Sequence, residues 1–469
     1  SKSSAQSGSL DLGKWFGRDV GMSGRETKLL SYIMLGGFVI MAILSLRVGL
    51  NGDDDVQAKY ASDLPAFYTS LGADTTCFTS GPEIKYYGAL FELATGATNQ
   101  ILGIDKTTPG YYKVRHVWNA LFGAIAIYFM ALLVGRIAGF RPALLGLGLI
   151  FLTLRFLGHS LFNPKDIPFA AGYMMGLYYL YKTLSEMPAP SRKTLIGLTA
   201  GIAFGIGIRV GGVLMIAYTG LFLGLHFLAR HGFRQIFSDW QRLKPYVQAL
   251  VIPSLGGLSL SLLVWPYGLI NPLEHIPGAF EAFANFRTAI KVLFSGEMVW
   301  SMDIPFQYII TWMAITWPIF SLVGIVLLLV FLRGLLHTYN PAAILFTGFA
   351  FLFPIIYVII SGSVLYDGWR HFLFVYPPAI VLITLAWWYG YERFAGRPRW
   401  QYGMIAILLL SSLDSLAFLI RNSPYPYVYF NPLIGGIQGA YGSYELDYWG
   451  ASVKQAVEWM EDEGIISEG

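Results

Sequence analysis

The chain is predicted to be all-α, a polytopic transmembrane helical bundle of about eleven spans whose long first extracytoplasmic loop carries short interfacial helices. Three observations predict this. Only 13% of the 469 residues are charged while 55% are hydrophobic, against about 25% charged in a soluble domain. Apolar runs of about 18 residues or more, enough to cross a hydrocarbon core of about 30 Å, recur along the whole length. The Lys and Arg residues between these runs fall in alternate loops, as the positive-inside rule requires.

Taken in order, residues 1–28 form a polar tail rich in Ser and Gly, without the layout of a cleaved signal peptide. Apolar segments follow at 29–49, 114–134, 140–158, 167–184, 194–208, 211–229, 247–267, 306–332, 342–361, 372–390 and 402–420. With the N-terminus cytoplasmic, the inside loops hold Lys14, Arg18, Arg25 and Lys28, then Arg136 and Arg141, then Lys182, Arg192 and Lys193. They continue with Arg230, Arg234, Arg242 and Lys244, then Arg333, then Arg393, Arg397 and Arg399. The outside then receives 50–110, the turn 159–166, the loop 268–304, the turn 362–371 and the tail after 420. This alternation needs an odd number of spans and hence a break at Arg209. The domain layout is therefore a cytoplasmic tail at 1–28, a membrane domain at 29–420, and an extracytoplasmic tail at 421–469. In that last tail Val453, Ala456, Val457 and Met460 have helical spacing.

The net charge of +4 is spread over short loops, so a nucleic-acid partner is not expected. Cys77, the single cysteine, excludes an internal disulfide and a cysteine-based metal site.

Four stretches carry ionisable groups where an apolar chain has little need of them. Asp53, Asp54 and Asp55 follow the first span. They suit a general base or a hard-oxygen cation site, or simply a solvated helix cap. His159 to Asp166 reads H-S-L-F-N-P-K-D: Asn163 and Pro164 make a turn, and Lys165 and Asp166 start the next helix. Tyr366 to His371 places Asp367, Arg370 and His371 between two spans. A guanidinium there suits a bidentate grip on phosphate, or snorkels beside Trp369. Arg209, between two Gly-rich apolar runs, is a functional candidate by default. The loop 268–304, which includes Arg287, leads into Pro305 and Tyr308. Its middle, Phe280 to Phe294, suits a surface helix, although a plain amphipathic loop is the preferred reading, and His275 has no partner at metal-ligand spacing.

In this order the motifs resemble the GT-C class of glycosyltransferases, within it the protein O-mannosyltransferase and lipid A aminoarabinose transferase branch. The likeness runs from about Leu29 to Leu419. The mannosyltransferase Asp-Glu pair falls on Asp54 and Asp55, with Asp in place of Glu and Asp53 as an extra. Glu83 to Glu92, with Tyr86, stands where the family has a Pro-rich motif, but without its prolines. Tyr425 to Trp449 is similar to the ending of many bacterial membrane glycosyltransferases.

The resemblance implies transfer of a sugar from a polyprenyl-phosphate donor to a lipid, glycan or protein acceptor at the extracytoplasmic face of a bacterial plasma membrane. One of Asp53 to Asp55 would be the base, and Lys165, Arg370, His371 and Arg209 would meet the donor phosphate. Asn163, Asp166, Tyr86, Tyr308 and Asp367 would support them, and a divalent cation (Mg or Mn), if used, would sit at Asp53 to Asp55. Two other readings are a secondary transporter, which predicts inverted repeats and mid-membrane charges, and a non-catalytic lipid-binding subunit. No repeat is visible, and the charges gather on one face.

Overall fold

The computed structural model describes residues 19–81, 83–284 and 289–466, so Lys14, Arg18 and Arg287 lie outside the described residues. Every apolar segment predicted above is helical. The helices are Gly24–Ser45, Pro109–Ala138, Phe140–Phe151 with Leu154–His159, Asp166–Glu186, Arg192–Ile208 and Leu214–His231. They continue with Trp240–Leu263, Tyr308–Thr316 with Ile319–Thr338, Pro341–Ser361, Tyr376–Arg393 and Pro398–Asn422. Among the described residues eight helical stretches are long and apolar enough to cross a bilayer, and the chain is an integral membrane protein.

The expected count of about eleven is not reached by that measure. The 140–158 segment breaks after Phe151, and Arg192–Ile208 has only 17 residues, about 25 Å of helix. The 306–332 segment divides at Trp317 and Pro318, because proline has no N–H for the helix ladder. The predicted break at Arg209 is present. The residue is extended at φ −141° and ψ 140°, between a helix ending at Ile208 and a short 3-10 turn that enters Leu214–His231.

Helix Asp166–Glu186 packs on Arg192–Ile208 through paired glycines. A Cβ on Gly172 would lie 2.6 Å from the Gly205 nitrogen, and one on Gly201 would lie 2.6 Å from Gly176. Small residues are what allow such backbone approach inside a membrane bundle. Most residues of the apolar part of the Arg370–Arg393 stretch are buried, which makes it central, whereas few are buried in Gly24–Ser45 and Pro398–Asn422, which are peripheral.

Loop contacts define two ends of the bundle. At one, Asp19 pairs with Arg136 at 2.9 Å and accepts from Asn340, which also bonds Tyr181. At the other, Gly52 N–H donates to the Trp449 carbonyl and Ala89 N–H to that of Val264. The first long loop carries helices Asp54–Thr69 and Leu90–Leu102.

The stretch Phe280 to Phe294 is neither one surface helix nor a plain amphipathic loop. Helix Pro272–Ala284 covers its first part, and Lys291–Phe294 pairs antiparallel with Glu297–Trp300. Ser295 and Gly296, both at positive φ, form the two-residue turn that matches strand twist. The hairpin docks on the C-terminal tail through Gly296 N–H to the Ser443 carbonyl. That tail ends in helix Val453–Asp462.

Candidate active site

The site grows from three local structures. In the first, Asn51 precedes helix Asp54–Thr69. Its backbone N–H and its amide both donate to Asp54 Oδ2, at 2.8 and 2.9 Å, and its Oδ1 accepts from Asp53 N–H. His116 Nε2 stands 3.9 Å from the same Asp54 oxygen. Asp54 is 2% exposed. Among the described residues its Oδ1 accepts no hydrogen bond, so one carboxylate oxygen is anchored and the other is free.

In the second, Asn163 closes a side-chain turn: Oδ1 accepts the N–H groups of Lys165 and Asp166, and Nδ2 donates to Asp166 Oδ2 at 2.8 Å. This puts Asp166 in the first turn of helix Asp166–Glu186, where the dipole favours an anion.

In the third, Asp367 and Gly368 both take positive φ, at 54° and 68°, and the Tyr308 hydroxyl accepts the Gly368 N–H at 3.1 Å. That turn delivers Arg370 inward.

These pieces converge. Asp166 meets Arg209 Nη2 at 2.5 Å and Arg370 Nη1 at 3.5 Å. Arg370 also meets Asp367 at 2.9 Å and Asp53 at 3.8 Å, and donates to the Tyr448 hydroxyl at 2.8 Å, which in turn donates to Asp53 at 2.9 Å. Trp449 donates to Asp367 at 2.6 Å. Residues nearly 400 positions apart thus close one network at one end of the bundle. Arg209 keeps 21% exposure against 7% for Arg370, so the cluster opens on the Arg209 side.

The remaining candidates lie as follows. Lys165 joins buried Glu92 at 2.8 Å and stands over the Tyr87 ring, which Arg209 also approaches. Its ammonium therefore has a partner already, and burial pulls its pKa below the ordinary lysine value while the Glu92 carboxylate opposes that. His371 packs edge-on against Tyr366. Tyr86 packs against Tyr267 beneath Lys85, and its neighbour Tyr87 is the ring that reaches the cations. Gly88 explains that placement, since a Cβ there would lie 2.2 Å from the Gly207 carbonyl, two residues before Arg209.

Asp55 is exposed, so Asp53, Asp54 and Asp55 diverge. They make no oxygen cage for a divalent ion as they stand, and no set of three or more His, Cys, Asp or Glu suited to a metal occurs among the described residues. Burial pushes the Asp367 carboxyl above its ordinary value, with Arg370 pulling against it.

Glu92, His116 and Tyr448 are parts of this arrangement that sequence reasoning did not single out. Tyr448 lies within the ending noted at Tyr425 to Trp449, and Glu92 within the stretch noted at 83–92.

Fold and site together define a polytopic membrane protein with two guanidinium groups and a half-anchored carboxylate at one end of its bundle. Comparison with known proteins narrows the class. Residues 90–264 match the dolichyl-phosphate-mannose-protein mannosyltransferase family model. The structure is similar to ArnT from Cupriavidus metallidurans, solved bound to undecaprenyl phosphate. The TM-score is 0.50 at 16% identity, covering 83% of this chain and 65% of that one. It also aligns with AglB, the oligosaccharyltransferase of Archaeoglobus fulgidus solved with an inhibitory peptide and a dolichol-phosphate. There the TM-score is 0.49 at 14% identity, over 92% of this chain and 58% of that one. No curated sequence matches the chain. The chain has the fold of the GT-C glycosyltransferases and spans 65% of the length of ArnT.

Proposed function

We propose that the protein is a glycosyltransferase that moves a sugar from a polyprenyl-phosphate donor to a lipid, glycan or protein acceptor. The observation that carries this reading is the pairing of Arg209 and Arg370 around Asp166, with Arg370 also meeting Asp53, the residue that precedes the half-anchored Asp54. Asp54 accepts the proton of an acceptor hydroxyl through its free oxygen as that hydroxyl attacks the anomeric carbon. The bond from that carbon to the phosphate oxygen breaks, and its electron pair leaves with the phosphate. Charge that develops there is met by the guanidiniums of Arg209 and Arg370, the main source of rate in this scheme. Direct displacement gives inversion at the anomeric carbon.

Asn51 holds Asp54 in place, with the His116 ring 3.9 Å from the anchored oxygen, and Lys165 with Glu92 holds Tyr87 beside Arg209. The alternating basic loops support an active site facing away from the cytoplasm of a bacterial plasma membrane, with the N-terminus inside.

A transporter would need charged groups along the membrane interior. Here the ionised network at this end is stitched by the tail residues Tyr448 and Trp449. The test supplies purified protein in lipid vesicles with undecaprenyl-phosphate sugars and a lipid extract from bacterial membranes, and follows release of undecaprenyl phosphate. Release that depends on the extract and vanishes in Asp54→Asn supports transfer. Sugar movement across the vesicle without release overturns it.

A further inference from the structure

Beside the Arg370 network lies a cavity of about 20 Å³, whose lining includes Arg155, Trp312, Asp367, Glu445, Asp447 and Tyr448. It adjoins the site described above, because Asp367 and Tyr448 belong to both. Its most unusual member is Arg155. The guanidinium is gripped by ring faces, 5.2 Å from Trp312 and 4.9 Å from Phe430, and its Nε donates to the Tyr429 carbonyl at 3.3 Å. Three atoms of the lining residues are buried without a hydrogen-bond partner: Arg155 Nη2, Trp312 Nε1 and Glu445 Oε2. Leaving such groups unpaired is unfavourable, so a ligand that satisfies them is favoured.

The inventory is two donors and one acceptor. A hydroxyl group is its complement, with two lone pairs and one proton to give. A phosphate or carboxylate is disfavoured, because Glu445, Asp367 and Asp447 line the same space. The volume admits a group the size of one water, not a sugar ring.

We propose that this cavity is a sugar-hydroxyl subsite, in which Arg155 and Trp312 donate to, and Glu445 accepts from, one hydroxyl or hydroxymethyl group of the donor sugar. The proposal rests on the glycosyl-transfer reading above and adds the residues that select the sugar. The Leu293 N–H holds Glu445 from the hairpin side, and burial raises its carboxyl to about 7. The hairpin and the C-terminal tail thus build a wall of the site that recognises the sugar and not its phosphate.

The experiment measures dissociation constants for bare undecaprenyl phosphate and for its mannosyl, arabinosyl and N-acetylglucosaminyl forms, using folded wild type, Glu445→Gln and Trp312→Phe. Wild type should bind at least one sugar-bearing lipid about tenfold more tightly than bare undecaprenyl phosphate. Each variant should bring that ratio close to one while leaving the bare-lipid constant unchanged. A ratio unaltered in both variants means the cavity holds a structural water only, and overturns the proposal. So does a wild type without preference for any of the three sugars, or a variant that weakens bare and sugar-bearing lipid equally. Absence of undecaprenyl-phosphate binding by wild type is a different failure, that of the donor-site reading itself.

Discussion

Replacing Asp166 by Asn removes one negative charge and almost no volume. The carboxylate is 1% exposed and accepts from Arg209 at 2.5 Å, Arg370 at 3.5 Å and Asn163 at 2.8 Å. Breaking a buried ion pair costs about 3–5 kcal/mol, because the partner charge stays buried without compensation. Two features place this case at the low end. Arg209 is 21% exposed and regains some hydration, and Arg370 keeps Asp367 and Asp53. The expected loss is about 3 kcal/mol, including a small share from the lost anion in the helix's first turn.

Equilibrium unfolding in mixed micelles of dodecyl maltoside and sodium dodecyl sulfate measures it. A second reading comes from ligand. A phosphate brings back the missing negative charge, so undecaprenyl phosphate should stabilise Asp166→Asn more than wild type. A variant within about 0.5 kcal/mol of wild type, the range of an ordinary surface change, would refute the claim that Asp166 holds the two guanidiniums. Equal stabilisation of both proteins by the lipid would refute the claim that phosphate joins that cluster.

Asp54→Asn should abolish sugar transfer while leaving undecaprenyl-phosphate affinity nearly unchanged. Arg370→Ala should weaken that affinity about ten- to hundredfold, the worth of a charge-assisted hydrogen bond, and Arg370→Lys should recover only part, since it lacks the fork. Titration with the lipid phosphate checks all three variants, and equal loss in Asp54→Asn and Arg370→Ala would reassign Asp54 to the donor. Single cysteines at the exposed positions 55 and 449 in a Cys77→Ala background should react with an impermeant reagent added outside cells, and one at 192 should not; the reverse pattern would invert the topology. Glu445 has a folded pKa near 7, raised by burial. Unfolding therefore releases a proton between the ordinary glutamate value and about 7, and stability falls as pH rises through that window. Relative to Glu445→Gln, wild type should lose on the order of 1–2 kcal/mol between pH 4.5 and 7.5, and parallel profiles would contradict the burial argument.

The helices were legible because hydropathy and loop charge are properties of contiguous sequence. Even the Arg209 break could be read, since only a break there kept every basic loop on one side. The kink at Pro318 was written in the sequence too, but a long apolar run hid it. The hairpin was missed because Phe280 to Phe294 combines apolar and charged residues at spacings that suit a surface helix. Its strand alternation covers only four residues before the Ser295 and Gly296 turn.

At the site, Asp53, Asp54, Asp166, Arg209 and Arg370 could be singled out because charge in an apolar chain needs a reason. Which of them meet could not be read, since Asp166 pairs with partners 43 and 204 residues away. Tyr448, Tyr87 and Trp312 gave no warning, because aromatic residues are the ordinary furniture of a chain that is 16% aromatic. Arg155 was hidden differently, inside an apolar run taken as one span.

The most direct test of the central claim is an experimental structure of the protein with an undecaprenyl-phosphate sugar bound. The account predicts phosphate oxygens within about 3 Å of the Arg209 and Arg370 guanidiniums, with the anomeric carbon turned toward the free oxygen of Asp54. A phosphate held elsewhere on the bundle, with the Asp166 cluster unchanged and Asp54 out of reach of the sugar, would contradict it.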